Sequence, residues 1–326
     1  MFSSRLGKVI QISAGRKTVH FCPAILLSKR TLCGYFRDSS RDSLQAAQPI
    51  HFFREPILNI VALAGSGLLI MLGLFTIYWL IQLKLGDSGI VDVFWGASVA
   101  LVGAYFCAST SGNLNRRLVA VILMSVWAIR LGCYLWQRWK SHNEEDPRYT
   151  SLKQKWGRRA QLRMLRFYQM QAAGAFLFAL TMLVVGLNTK PWGWLDSAAV
   201  VVWVISILGE AISDLQLHRF RQEPQNKTEV CQVGFWKYSR HPNYFFEWLH
   251  WWTYALLALQ APLGWLTILA PVAMWFFLNR VTGIPHTETQ AIKSRGDKYR
   301  AYQQTTSAFF PWFPKQSPLQ NGVSND

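Results

Sequence analysis

The segment YSRHPNYFFEWLHWW, residues 238–252, sets Arg240, His241, Asn243, Glu247 and His250 among aromatic side chains. Pro242 fixes φ and suits the first turn of a helix. Amides at a helix start lack intrahelical partners and the dipole there favours anions, so such a start can hold phosphate groups. Lys237, Tyr238, Arg240, His241 and Asn243 surround that start as candidate cofactor ligands. Deeper in, Tyr244, Glu247, Trp248 and Trp251 recur at helical spacing and share one face. A tyrosine and a glutamate on an aromatic face below an anion site suit a nicotinamide-type ring held in a dry slot. The same rings also suit an interfacial aromatic belt.

Upstream, GEAISDLQLHRFR places Glu210, Asp214 and His218 at steps of four along one helical face, with Arg221 close to that face. A carboxylate stripe ending in an arginine suits a polar ligand with a charged end. Ionisable groups in apolar spans are costly and count as functional candidates, here Asp92, Arg130, Glu210, Asp214, Glu247 and His250. Their alternative role is interspan pairing, such as Arg130 with Glu210 or Asp92. Towards the end of the chain, GIPHTETQAIKSRGDKYR opens with His286 and Glu288, and Arg295, Lys298 and Arg300 follow on an amphipathic stretch. That stretch is expected in the membrane interface, covering the mouth of the site.

The elements that must position these residues are long apolar helices. Of 326 residues 51% are hydrophobic, 16 are Trp, and only 16% are charged, against about a quarter in soluble domains. Seven spans of about the membrane-crossing length are expected: 57–83, 90–109, 118–137, 167–187, 194–215, 244–260 and 263–278. The net charge of +17 resides in loops, which membrane topology explains without nucleic acid. Loop 138–166 carries nine Lys or Arg, 216–243 five, and the tail from Arg280 six. All three fall on one side of a seven-span chain, so the C-terminus is expected on the cytosolic or matrix side. Residues 1–54, with nine Lys or Arg and two Asp, read as a basic tail and possible organelle-targeting presequence. Residues 55–315 form the membrane domain, and 316–326 read as a disordered end. The five cysteines show no C-x-x-C pair and read as free thiols. His218, His241, His250 and His286 are too scattered for paired-histidine iron boxes, so no metal is expected.

These motifs together carry a resemblance. GFWKYSRHPNYFFEWLHWWTYALLAL and GIPHTETQAIKSRGDKYRAYQQTTSAFFPWFPK, with VDVFWG, EDPRY and EAISDLQLHRFR, resemble the multi-span family of unknown function in the steroid 5-alpha-reductase superfamily, over about residues 88–315. The resemblance implies an all-α bundle of about seven transmembrane helices with a cofactor cavity open to the cytosol. It implies NADPH-dependent reduction of a carbon–carbon double bond next to a carbonyl in a lipid-like substrate of steroid, fatty or isoprenoid type. An Asp and an Arg seven residues later contact the cofactor in that superfamily, matching Asp214 and Arg221. The asparagine, tyrosine and glutamate of its PNYFGE motif match Asn243, Tyr244 and Glu247, while Phe246 replaces the glycine. No counterpart is found for the Gln-Glu pair that meets the substrate ketone. Asp92 occupies a comparable early span, and Asp92 or Tyr105 is the expected acid that polarises the carbonyl. A relative, isoprenylcysteine carboxyl methyltransferase, binds S-adenosylmethionine through a similar RHPxY stretch and a later Glu. Arg240, His241, Pro242 and Glu288 fit that pattern, so S-adenosylmethionine-dependent methyl transfer is an alternative. A third is a non-enzymatic lipid- or sterol-binding membrane protein.

Overall fold

The computed structural model describes residues 48–141 and 145–315. Most of the expected targeting segment, the expected disordered end, Cys22 and Cys33 lie outside the described residues. The chain divides between Glu55 and Pro56, and the helical bundle is the unit from Pro56 onward.

Among the described residues there are helices and no strands. In chain order the α-helices are α1 (Gln48–Leu85), α2 (Ile90–Ala108), α3 (Leu114–Ser141), α4 (Pro147–Trp156), α5 (Ala160–Gly186), α6 (Trp194–Gln222), α7 (Pro242–Ala258), α8 (Leu269–Phe276), α9 (Ile284–Arg295) and α10 (Asp297–Thr305). Six helical runs are long and apolar enough to cross a membrane: Leu58–Leu85, Ile90–Ala108, Leu114–Ser141, Pro147–Gly186, Trp194–Gln222 and Gly264–Arg295. Their exposed large side chains are the apolar ones a lipid-facing surface requires, among them Leu69, Ile129 and Val201.

Of the seven spans expected, the sixth falls on α7, which has 17 residues and is not one of the six. Its sequence is interrupted by Asn243, Glu247 and His250, and it is a core helix. His250, Trp251 and Tyr254 have no exposed surface, and the Trp251 ring sits 4.4 Å from that of Phe178 on α5. The expected loop 138–166 also differs, because α4 and the first turns of α5 occupy most of it. EDPRY is a helix start: the Asp146 side chain accepts from the Arg148 amide at 2.9 Å, with Pro147 in the first helical turn. The many basic residues there mask that capping signal.

The link after α7 is as tight as expected. Leu263 takes a left-handed conformation at φ 58°, and a Cβ on Gly264 would stand 2.1 Å from the Ala258 carbonyl, so only glycine closes this turn. At the start of α3, Arg116 is fully buried. Its guanidinium forks onto Asp196 of α6, with Nη2 at 2.8 Å from Oδ2, and donates to the carbonyls of Asn188, Lys190 and Pro191. The whole guanidinium is thus spent on joining α3, the 188–191 turn and α6.

Candidate functional site

Where α3 and α6 end and α7 begins, a cavity of about 690 Å³ opens, with α9 and α10 as its outer wall. Pro242 in the first turn fixes where α7 starts, with His241 as its N-cap residue. Asn243 then follows within the first turn. Its Oδ1 accepts from the Tyr244 amide at 3.0 Å, and its Nδ2 donates to Asp214 Oδ1 of α6 at 3.2 Å. The other Asp214 oxygen accepts from Arg130 of α3 at 3.4 Å, and Arg130 also pairs with Glu210, one turn deeper on α6. The carboxylate face of GEAISDLQLHRFR is therefore real, and its two acids converge on one arginine from another helix. This is the Arg130–Glu210 pairing expected as the interspan role, and Arg130 joins the polar chain that runs inward from the cavity.

Glu247 lies deeper still. Its two oxygens accept from the indole N–H groups of Trp127 (2.9 Å) and Trp251 (3.2 Å). Trp127 in turn stacks on the His250 ring, with centroids 4.9 Å apart and planes 17° from parallel.

The cavity wall is basic. Arg138, Arg221, Arg240 and Arg295 line it together with three histidines, and among the described residues no carboxylate does. The four arginines are not equivalent. Arg240 is spent inside the protein, its Nε on Glu288 at 2.7 Å and its Nη1 on the carbonyls of Gln303 (3.1 Å) and Thr306 (2.6 Å). Arg295 gives its Nε to the Glu229 carbonyl at 2.8 Å. Arg221, in the last turn of α6, makes no hydrogen bond or ion pair among the described residues and is exposed to the cavity. Burial pushes the Cys231 thiol in this wall above its ordinary range.

Glu288 is a hub rather than an open ligand. It accepts from Arg240, His241 (3.3 Å), Gln303 (2.8 Å) and Tyr299 (3.4 Å). Burial holds the His241 imidazole below its ordinary range, against the opposing hydrogen bond to Glu288. The ring lies flat against that of Tyr244, whose hydroxyl shares a hydrogen bond with Thr287 of α9 at 3.1 Å. Backbone contacts complete this outer wall: the Arg240 amide donates to Ser307, Ser239 Oγ to Phe309, and the Trp312 amide to Tyr238.

Of the residues singled out from the sequence, Arg221, Arg240, His241, Asn243 and Tyr244 line the cavity, with Asp214 and Glu247 bonded behind it. Glu288 holds the wall together. Tyr238 faces the chain end, its ring 6.0 Å from Phe313. Asp92 is elsewhere, accepting from Tyr149 (2.9 Å) and Arg148 (2.9 Å) beside a separate cleft. Tyr105 bonds Ser66 at 2.7 Å. Sequence reasoning missed two residues of α3, Tyr134 in the cavity wall and Trp127 beneath it. Their register with α7 depends on how the two helices cross, which no local pattern encodes. Among the described residues no group of three or more His, Cys, Asp or Glu side chains is placed to hold a metal ion.

Fold and site together define a multi-pass, all-α membrane protein with a basic cavity at one end of its bundle. The chain belongs to DUF1295, a family of proteins of unknown function, which matches residues 78–306. A comparison with curated proteins found no match.

Proposed function

We propose that the protein is a membrane-embedded NADPH-dependent reductase of a lipid-like substrate, with the steroid 5-alpha-reductase superfamily as its wider kinship. The observation that carries this reading is the cavity of about 690 Å³ lined by four arginines and, among the described residues, no carboxylate. That volume lies within the usual range for small-molecule sites, and the lining suits a ligand bearing several negative charges. Arg221 has donors to spare for phosphate, and Arg295 and the α7 start line the same cavity. Asn243 and Tyr244 would meet the part of the cofactor that reaches furthest in. NADPH supplies hydride for reduction of a carbon–carbon double bond next to a carbonyl. The chain's own residues do the rest: Asp214 and Arg130 fix Asn243, and Trp127 and Trp251 hold Glu247 in a dry, aromatic setting.

In this reading α7 is the seventh crossing and the cavity opens to the cytosolic or matrix side, where the basic loops 216–243 and 280–315 lie. Targeting to an organelle by residues 1–54 is part of the same reading.

The test is thermal stabilisation of the detergent-purified protein titrated with NADPH, NADH and S-adenosylmethionine. A ligand that binds only the folded state adds roughly 2.7 kcal/mol at 100 times its Kd. Stabilisation by NADPH that is lost in Arg221→Ala supports the reductase. Stabilisation by S-adenosylmethionine alone would replace it with methyl transfer, and no response to any of the three with a lipid-binding role.

A further inference from the structure

Among the described residues, buried side-chain nitrogen or oxygen atoms without a hydrogen-bond partner lie on α3, α6 and α7, the Tyr254 hydroxyl and the Trp203 indole N–H being placed to meet each other. Those left on α7 belong to His250, Trp252 and Thr253. The pattern is not scattered imperfection, because buried polar groups are nearly always paired and each exception asks for a cause. His250 is the extreme case: it has no exposed surface, and neither Nδ1 nor Nε2 is bonded. A neutral imidazole carries one N–H and one lone pair, so both a donor and an acceptor are left empty whatever its tautomer. Leaving such groups dry costs the full desolvation of each.

The surroundings say what is missing. The ring is fixed by stacking on Trp127 and by the edges of Trp251 and Tyr254, at 5.3 Å and 5.1 Å. Trp127 and Arg130 share one face of α3, and Glu247 and His250 share the face of α7 that meets it. Unfilled atoms also remain on Arg130 (Nε) and Glu210 (Oε2), where the carboxylate chain from the cavity ends. One buried water makes about three hydrogen bonds, too few for this set. The stacked rings, the unfilled imidazole and the Arg130–Glu210 end of the chain are the apolar and polar parts that a small-molecule site combines.

We propose that His250 is the residue that receives the oxygen-bearing end of the lipid-like substrate, a carbonyl or hydroxyl group, between α3 and α7. This rests on the reductase reading for the nature of the substrate, but the binding step does not require the cofactor. The hydrogen bond goes to the substrate oxygen, while the aromatic rings take the apolar body.

The experiment compares two tritiated probes in detergent solution without any nucleotide: a long-chain 2-enone and an alkane of the same length. Wild-type protein is expected to bind the enone saturably and about ten times tighter than the alkane, the worth of one net hydrogen bond of about 1.4 kcal/mol. His250→Phe keeps the ring volume, removes the unpaired nitrogens, and should bind both probes alike while melting no lower than wild type. His250→Gln, which restores a donor and an acceptor, should recover part of the preference. Equal binding of the two probes by wild type, no saturable binding, or an undiminished preference in His250→Phe each overturns the proposal and leaves His250 a core residue. NADPH stabilisation is measured on the same samples. Its absence beside a persistent enone preference would sink the cofactor reading and leave the His250 site standing.

Discussion

The ring of Phe246 on α7 fills the space beside Gly209 on α6, where a Cβ on Gly209 would stand 2.4 Å from the ring atoms Cδ1 and Cε1. The two helices therefore approach as closely as a ring allows, just where Glu210, the next residue, turns toward Arg130. Gly209→Ala should destabilise the protein by about 1–3 kcal/mol, the usual cost of overpacking. Phe246→Leu should remove most of that penalty. A double-mutant cycle of thermal stabilities checks it; additive effects would mean that the helices shift apart freely.

Arg116 and Asp196 predict a large single-site loss. The arginine is fully buried and satisfies three carbonyls besides the carboxylate. Arg116→Ala should cost roughly 3–5 kcal/mol, because it strands a buried charge. The measurement is the thermal midpoint in detergent, and a shift below what about 1 kcal/mol produces would contradict the packing described.

Arg221 and Arg240 should separate cleanly. Arg221→Ala removes an unengaged cation, so NADPH stabilisation falls while the midpoint without nucleotide stays within about 0.5 kcal/mol, as for surface substitutions. Arg240→Ala breaks the link to Glu288 and two carbonyls, so the outer wall loosens first. Limited proteolysis near residues 296–315 should accelerate in Arg240→Ala and not in Arg221→Ala.

His241 gives a pH dependence. Its folded pKa is depressed, chiefly by burial, so on acidification the unfolded chain takes up a proton that the folded state refuses. Stability from this group is present above about pH 6.5, the unperturbed histidine value, and declines below it. Wild-type protein should therefore lose stability relative to His241→Gln as the pH falls from about one unit above that value to about one unit below it. A midpoint difference that holds constant or moves the other way would refute the burial argument.

Much of the site is legible in residue spacing. Pro242 marks the start of α7, and the steps from Glu210 to Asp214 and from Tyr244 to Glu247 mark their faces, because helical periodicity is a local property. Other features depend on long-range crossing. Charge alone suggests Glu210 or Asp92 as a partner for Arg130, but nothing local announces that it bridges Glu210 and Asp214 together. Trp127 looks like any interfacial tryptophan. α7 is legible as the apolar run 244–260, but its packing is not: its partners are protein, so it tolerates polar residues that a lipid-facing helix would not. The 138–166 segment is obscured by charge, which overrides the short capping signal at Asp146. The partners of Glu288 are likewise out of reach of a motif, since Arg240 and Gln303 come to it from distant parts of the chain.

The outer wall of the cavity is made by α9, α10 and the residues after them, and much of its attachment runs through main-chain carbonyls at Gln303, Thr306, Ser307 and Phe309. Those residues leave the ribosome after every helix that forms the bundle has been made. Membrane insertion and the closing of the binding chamber are therefore separate events in time. A chain stalled or cut before residue 303 would carry every residue that lines the cavity, but without these attachments of its outer wall. Completion of the cavity wall thus depends on synthesis running through this segment.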